Sequence, residues 1–484
     1  MKALKYLLFV LLVTIGTTLQ ATVLLPQILS SNMVLQRDKP IAIWGFAAAG
    51  EQISVEFAGQ KLSTQTNQSG TWKIILSSLK TSSIPAVMTI RGTNTIVLDN
   101  ILVGEVWLCS GQSNMEYAMR KIKKVKKPLN PKLGFPADEL EKANNSQIRI
   151  FLVNRKQLSK PDSIHKSWSV AQDSALKIFS AAGYFFAKEL QEKLGIPVGI
   201  ISSAVSGSAI EPWIQKEVLL SEPFFKDNKP GNDPGKFYTP MIEPLTQFAI
   251  RGFLWYQGET NCFLKEDISY TYKMNALINN WRAAWGNPEM PFYYVQIAPF
   301  EYSKSKGKIV LDEQTEPKFW EAQSQLLRLK NTGMVVSTDL NDFPEDLHPT
   351  YKWEIGRRLA LWALAKDYGK QITYSGPMYK AVAFKSHAAE ITFNYTGKGL
   401  VSVDRQPLKG FTIAGADGKF VIAQARIKGD KILVSSKIIK NPKSVRFGWS
   451  ETTLSNLYNQ DGLPAMPFRT DNPLTDQFKI NDTK

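Results

Sequence analysis

From residue 22 to about 103 the apolar positions come in short runs: Ile41–Trp44, Ile53–Phe57, Trp72–Leu76, Val87–Ile90 and Ile96–Leu98. Turn formers such as Asn67-Gln68-Ser69-Gly70 separate them. Short runs punctuated in this way predict strands, and a unit of about 80 residues suits a small β-sandwich. From Gly104 to about Gly369 the pattern changes. Strand-like runs at Val106–Leu108, Ile148–Val153, Val198–Ser203, Ile250–Trp255, Phe292–Ile297 and Met334–Thr338 alternate with helix-like stretches. Ser180–Leu194 is the clearest helix: a capping serine, apolar Tyr184, Phe185, Ala187 and Leu190, then Gly195 as a stop. Further helices are expected over Tyr270–Trp285, Trp320–Leu329 and Thr350–Tyr368. Strand–helix alternation predicts a mainly parallel sheet covered on both faces. After Tyr374 strand patterning returns at Val382–Phe384, Glu390–Tyr395, Phe411–Ala414, Lys431–Val434 and Ser444–Phe447. The expected division is residues 22–103, 104–374 and 375–484, with the aperiodic run Trp449–Asp471 folding back onto the central unit.

Composition changes this picture little. Of the 484 residues 43% are hydrophobic and 11% aromatic, which fits a folded chain and excludes a disordered one. The first 21 residues carry lysines, an apolar run and a small residue at Ala21, which is a secretory signal pattern. Leu19 is a poor residue two before the cut, and an uncleaved anchor is the competing reading. No later run is long and apolar enough to span a bilayer, so the expectation is a periplasmic or secreted protein without stable membrane insertion. The balance of 59 Lys+Arg against 43 Asp+Glu gives +16. The lysines are mostly scattered. The cluster Lys121–Lys127 has no interleaved aromatics and ends in Pro128, which reads as a solvated loop or helix end. No nucleic-acid partner is expected; a mild preference for anionic substrates or surfaces is what the charge supports. The two cysteines, Cys109 and Cys262, form neither a disulfide framework nor a zinc pattern. They are either paired or two buried thiols.

Candidate chemistry begins at Gly104–Tyr117, GEVWLCSGQSNMEY. A buried strand runs into a polar turn carrying Ser113 and then a helix start, which puts the serine at the carboxyl edge of the sheet. Taken alone, a capping serine in an ordinary loop is the simpler explanation. A nucleophile needs a base, and the chain has three histidines. His165 lies in a polar loop and His387 precedes a late strand; both read as ordinary surface or loop positions. His348 follows the Met334–Thr338 run and an acidic loop, DLNDFPEDLHP, and precedes a helix, on the same rim as Ser113. Pro349 favours an extended backbone at His348 and can open the next helix. Asp346 is the first candidate to orient the imidazole and Glu345 the second; a backbone carbonyl can also do so. An oxyanion needs donors. The Ser113 amide, the Gly207 amide in Ser206-Gly207-Ser208 and the Asn261 side chain are candidates, each after a strand of the sheet. A lone Gly or Asn in a loop is ordinarily a turn residue; the set gains weight because all four stretches follow strands of one sheet.

GQSNM at Gly111–Met115, SGSAIEPW at Ser206–Trp213, WYQGETN at Trp255–Asn261 and DLHP at Asp346–Pro349 resemble the blocks of the SGNH-type esterases. The sialate O-acetylesterase-like family of carbohydrate esterases is the nearest match. LPQILSSNMVLQRDKPIAIWGFAAAGE, FSAAGYFFAKEL and GLPAMPFRTD are similar to that family too, so the resemblance covers nearly the whole mature chain. It implies a flavodoxin-like α/β catalytic sheet between amino- and carboxyl-terminal β-sandwich-like domains, with no metal or organic cofactor. It implies Ser113 as nucleophile, His348 as base, and Gly207 and Asn261 as oxyanion donors beside the Ser113 amide. Ser206 departs from the family, whose members usually carry glycine there. Many SGNH enzymes place the acid three positions before the histidine, where this chain has Glu345. The expected activity is removal of O-acetyl groups from sugars through an acyl-enzyme, foremost from sialates. Acetylxylan or another plant glycan is the alternative substrate, and a non-catalytic glycan-binding protein the alternative class. Gln112, Glu211, Trp213, Trp255, Gln257 and Glu259 are candidates to shape the pocket or hold the sugar, with core packing an equal explanation for the tryptophans. The partner expected is an O-acetylated sugar or glycan; the sequence says nothing of oligomeric state.

Overall fold

A computed structural model describes residues 22–153 and 167–479. The proposed signal segment 1–21 and His165 lie outside them. The amino-terminal strands are β1 (Val34–Gln36), β2 (Ile41–Phe46), β3 (Gln52–Phe57), β4 (Gln60–Gln65), β5 (Thr71–Leu76), β6 (Ser82–Arg91) and β7 (Thr95–Gly111). β3 and β5 bury alternate residues, as strands with one solvated face do. β2 pairs antiparallel with β5. β3, β4 and β6 pair antiparallel in a second layer, which continues through β6 into β7. Ile43, Ile53, Val55, Ile74 and Ile90 fill the space between the layers.

β7 is one strand where the sequence pattern suggests two. Asp99-Asn100 reads as a turn, yet Asn100 is accommodated inside the strand at φ +54. Its side chain donates to Asn32 at 2.7 Å and accepts from Arg149 at 3.1 Å. β4 is nearly all polar and mostly exposed, so no apolar alternation marked it.

The far half of β7 enters the central sheet with β8 (Ile148–Leu152), β9 (Ser169–Val170), β10 (Val198–Ala204), β11 (Gly252–Tyr256), β12 (Phe292–Val295) and β13 (Thr332–Val335). The order is β13-β12-β11-β7-β10-β8-β9. All neighbours are parallel except β9, which runs against β8. The five strands β10-β7-β11-β12-β13 follow the order 2-1-3-4-5, with β8 and β9 added outside β10. Both faces are covered, so β10 to β13 bury every residue. On one face pack the helices Ala181–Leu194 and Lys352–Lys366; on the other, the helix Ile268–Ala284 and the amino-terminal layers share one core. Ser180 caps the 181–194 helix by accepting the Gly183 N–H at 3.1 Å, and Gly195 ends it at φ +67, both as the pattern predicts.

The carboxyl-terminal region adds antiparallel sheets: one of four strands, Met378–Lys385, Ala388–Asn394, Gln424–Lys428 and Lys431–Ser435, a second of four strands around Phe411–Ala414 and Ser444–Phe447, and a pair, Leu400–Ser402 with Leu457–Asn459. The closing run does return to the central unit: Arg469 pairs with Glu321 at 2.9 Å, and Glu451 accepts the Ser303 N–H at 3.0 Å. Among the described residues no helix is long and apolar enough to cross a membrane.

One buried charge ties the layers together. Glu105, in β7, is fully buried and bonds Arg37 from the β1 side, Arg251 (2.7 and 2.9 Å) just before β11, and the Tyr368 hydroxyl (2.9 Å) after the 352–366 helix. Burial pushes its carboxyl up, but the Arg251 and Arg37 guanidiniums outweigh this and hold it below 4.5. Its contribution to stability is therefore present above pH 4.5 and lost as pH falls through the lowered value. Glu105→Gln leaves two guanidiniums without their counter-charge, and urea denaturation at pH 7 is expected to show a loss of about 3 kcal/mol.

Candidate active site

The turn after β7 rests directly on β11. Gly111 has φ +139, and a Cβ there would lie 2.1 Å from the Tyr256 carbonyl oxygen, so only glycine fits. The Gln112 N–H donates to that same oxygen at 3.0 Å. The Gln112 side-chain oxygen accepts the Gly258 and Thr260 N–H groups at 3.2 and 3.4 Å, locking the turn after β11 to the turn after β7. Ser113 follows as the first residue of a single helical turn, Ser113–Glu116, and is half-buried. Its amide has no acceptor among the described residues.

His348 sits in the loop between β13 and the 352–366 helix. Its Nε2 lies 2.9 Å from Ser113 Oγ, although the two are 235 positions apart. Burial lowers the pKa of the imidazole below 6.5; the nearby Lys352 charge adds to this, Asp346 opposes it, and Lys121 adds a smaller push. The Asp346 carboxylate accepts the backbone N–H of His348 at 2.8 Å rather than a ring N–H. Glu345 is exposed. Asp346 thus shapes the loop, and no hydrogen bond joins either carboxylate to the ring.

The residues singled out from the sequence fall into two groups. Gln112, Ser113, Gly207, Glu259 and His348 line one cleft of about 710 Å³. Gly207 is exposed at φ +73, and its amide also has no acceptor among the described residues. Ser206 donates from N and Oγ to the Glu116 carboxylate, which pins the Gly207 turn to the Ser113 helix. Serine in place of glycine at 206 therefore adds a contact.

Asn261, Glu211, Gln257, Trp213 and Trp255 do not line that cleft; they are buried beneath it. Lys273 is the physical reason. This buried lysine pairs with Glu211 and, at 2.6 Å, with Glu266. Asn261 turns its NH2 towards those carboxylates, 3.2 Å from Glu266 and 3.4 Å from Glu211, while its oxygen accepts from Gln257 at 2.7 Å and the Ile210 N–H at 3.1 Å. Trp213 and Trp255 meet edge to face at 6.0 Å in the core. Cys109 and Cys262 are free and buried, and burial pushes the Cys109 thiol up to about 12. His387 occupies the turn between two carboxyl-terminal strands. Among the described residues no group of three or more His, Cys, Asp or Glu side chains could hold a metal ion.

Four residues near the cleft carry no distinct signal in the pattern. Asn114 and Lys352 are fully buried behind the serine and histidine. Arg120 and Lys121 stand exposed on the rim. The basic run, read from sequence as a solvated end, is solvated but also lines the cleft and an adjoining hollow of about 470 Å³. The proximity of Lys352, four residues after His348, and of Asn114, next to Ser113, was the available hint.

The Ser113–His348 contact lies at the level ends of three parallel strands, and relatives define the class of the protein. The family model for carbohydrate esterases described as sialic acid-specific acetylesterase matches residues 103–365. A carbohydrate acetylesterase from Xanthomonas citri of known structure is 35% identical, covers 93% of this chain and 100% of its own, and superposes with a TM-score of 0.82. The sialate O-acetylesterase of Rattus norvegicus is 27% identical over 91% of this chain and 93% of the rat protein. That of Homo sapiens is 27% identical over 80% of this chain and 79% of the human one. The protein is a carboxylic ester hydrolase. It belongs to the sialic acid-specific acetylesterase family of carbohydrate esterases.

Because burial and Lys352 both oppose protonation of His348, its imidazole is expected to titrate below 6.5. NMR of ¹⁵N-histidine-labelled protein from pH 4 to 8 measures this; a midpoint above 6.5 contradicts the geometry.

Proposed function

We propose that the chain is an SGNH-type serine esterase that removes acetyl groups from O-acetylated sialic acids. The 2.9 Å contact between His348 Nε2 and Ser113 Oγ carries the reading. Neutral His348 takes the hydroxyl proton as Ser113 Oγ attacks the acetyl carbonyl carbon. The oxyanion is stabilised by the Ser113 and Gly207 amides, both without an acceptor among the described residues and both on the cleft. His348 then protonates the departing sugar hydroxyl. Water, deprotonated by His348, attacks the acetyl-serine; the Oγ–acyl bond breaks, His348 returns the proton to Ser113 Oγ, and acetate leaves. Asn261, whose amide is held by Glu211 and Glu266, serves the turn rather than the oxyanion in this reading. Asp346 favours the imidazolium through its charge. The strand order 2-1-3-4-5 with the serine after the first strand supports a flavodoxin-like catalytic unit over residues 104–374, with β units at 22–103 and 375–484. Residues 1–21 act as a signal peptide, and the enzyme works in the periplasm or outside the cell.

The rim favours an anionic sugar. Arg120 has no hydrogen-bond or ion-pair partner among the described residues, and Lys121 Nζ stands 4.7 Å from the centre of the Tyr117 ring. A sialate carboxylate would meet both cations; a neutral acetylated xylan would leave them unused.

Ser113→Ala is expected to lower acetate release by roughly 10⁴–10⁶-fold with the fold intact; near wild-type turnover removes the nucleophile assignment. The same assay with 4-nitrophenyl acetate excludes a mere glycan binder if wild type exceeds background. Asp346→Asn should cost far less than the ~10⁴-fold typical of a carboxylate bonded to the ring. Arg120→Ala should raise KM about tenfold for acetylated sialate, the worth of one ionic hydrogen bond, and leave KM for acetylated xylo-oligosaccharides unchanged. Equal effects on both substrates would refute the carboxylate subsite.

A further inference from the structure

Among the described residues no carboxylate bonds the His348 ring, so something else must fix the imidazole over Ser113. The backbone carbonyls on either side of His348 supply the answer. The Leu347 oxygen accepts from Asn114 Nδ2 at 3.1 Å. The Pro349 oxygen accepts from Lys352 Nζ. Lys352 Nζ also donates to Asn114 Oδ1 at 2.8 Å, which closes the link between the two. Asn114 is the residue next to Ser113, so the histidine loop is bolted to the serine's own helical turn at two points. Beneath, Asn114 Nδ2 also donates to Glu259 Oε1. All three side chains are at most 1% exposed.

We infer that Asn114 and Lys352 are positioning residues for the esterase reaction, clamping the two peptide carbonyls that flank His348 so that its Nε2 stays on Ser113 Oγ. Neither side chain touches the acetyl group. The clamp rests on the proposed serine–histidine chemistry and adds a holder for the base. It also explains a costly arrangement. A lysine inside protein has its ammonium pushed down by burial to about 7, against the pull of Glu259 and Asp346. Retaining such a group where an apolar residue would be more stable asks for a purpose. Its ammonium lies 4.9 and 5.3 Å from the ring centres of Tyr117 and Tyr256, which form the rest of its enclosure. Gln112 repeats the device on the other side of the serine, joining the turns after β7 and β11.

A second effect distinguishes the clamp from a merely structural buried pair. The charged groups acting on His348 are Lys352, Asp346 and Lys121; Lys352 in turn faces Glu259, Asp346 and Lys121. Removing Lys352 deletes the cation that opposes protonation most and keeps Asp346, so the imidazole becomes easier to protonate.

Two variants test this. Asn114→Ala removes one amide and keeps the Lys352–Glu259 charges. The double variant Lys352→Met with Glu259→Gln removes both buried charges together, so no uncompensated carboxylate is left to unfold the protein. Each is expected to lose about 10²-fold in kcat on 4-nitrophenyl acetate, the usual cost of a misplaced catalytic group, with KM little changed. In the double variant the acid limb of kcat/KM should also move to higher pH. Far-ultraviolet circular dichroism and a thermal melt verify the fold of each. Wild-type-like kcat in either folded variant, or an acid limb that stays in place in the double variant, overturns the clamp. Ser113→Ala, run in parallel, separates the two failures: an inactive Ser113→Ala beside fully active clamp variants sinks the clamp alone, whereas an active Ser113→Ala sinks the serine mechanism.

Discussion

The register of β7 against its two neighbours governs the site. Gly111 stands opposite Ala204 of β10 and Tyr256 of β11, so three parallel strands end at one level. The loops leaving them carry Ser113, Gly207 and the Gly258–Asn261 turn. Side chains on a strand alternate faces, so a slip of one residue would invert every buried position of β7. Trp107 and Cys109 face one core and Val106 and Leu108 the other, all fully buried. That packing forbids the slip. Gly111 against the Tyr256 carbonyl fixes the height of the turn from above.

Much of this was legible in the sequence, and for physical reasons. Strands of the central sheet are buried on both faces and stand out as apolar runs. The 181–194 helix announces its ends through Ser180 and Gly195. Ser113 and His348 follow such runs, so a shared carboxyl edge could be expected of them, and they do lie in contact. Family resemblance, carried by the blocks around residues 111, 206, 255 and 346, extended the reading to the carbohydrate esterases.

What escaped depends on partners distant in the chain. Asn261 looks like a free amide until Lys273, 62 positions after Glu211, gathers two carboxylates around it. Trp213 and Trp255 look like sugar platforms until they are seen edge to face in the core. Asp346 is close enough to His348 in sequence to orient its ring, but the short spacing lets the carboxylate reach the backbone N–H instead. Asn114 and Lys352 stood out only by their nearness to Ser113 and His348, because a buried polar residue is defined by what it bonds. The continuity of β7 was hidden by Asp99-Asn100, whose turn chemistry is absorbed as a local kink.

That continuity has a mechanical consequence. A single strand of 17 residues joins the amino-terminal layers to the turn that bears Ser113, and Glu105 rivets it sideways to Arg37 and Arg251. One backbone therefore carries any displacement of the amino-terminal layers to the turn that bears Ser113, and those layers are better regarded as part of the anvil than as a tethered accessory.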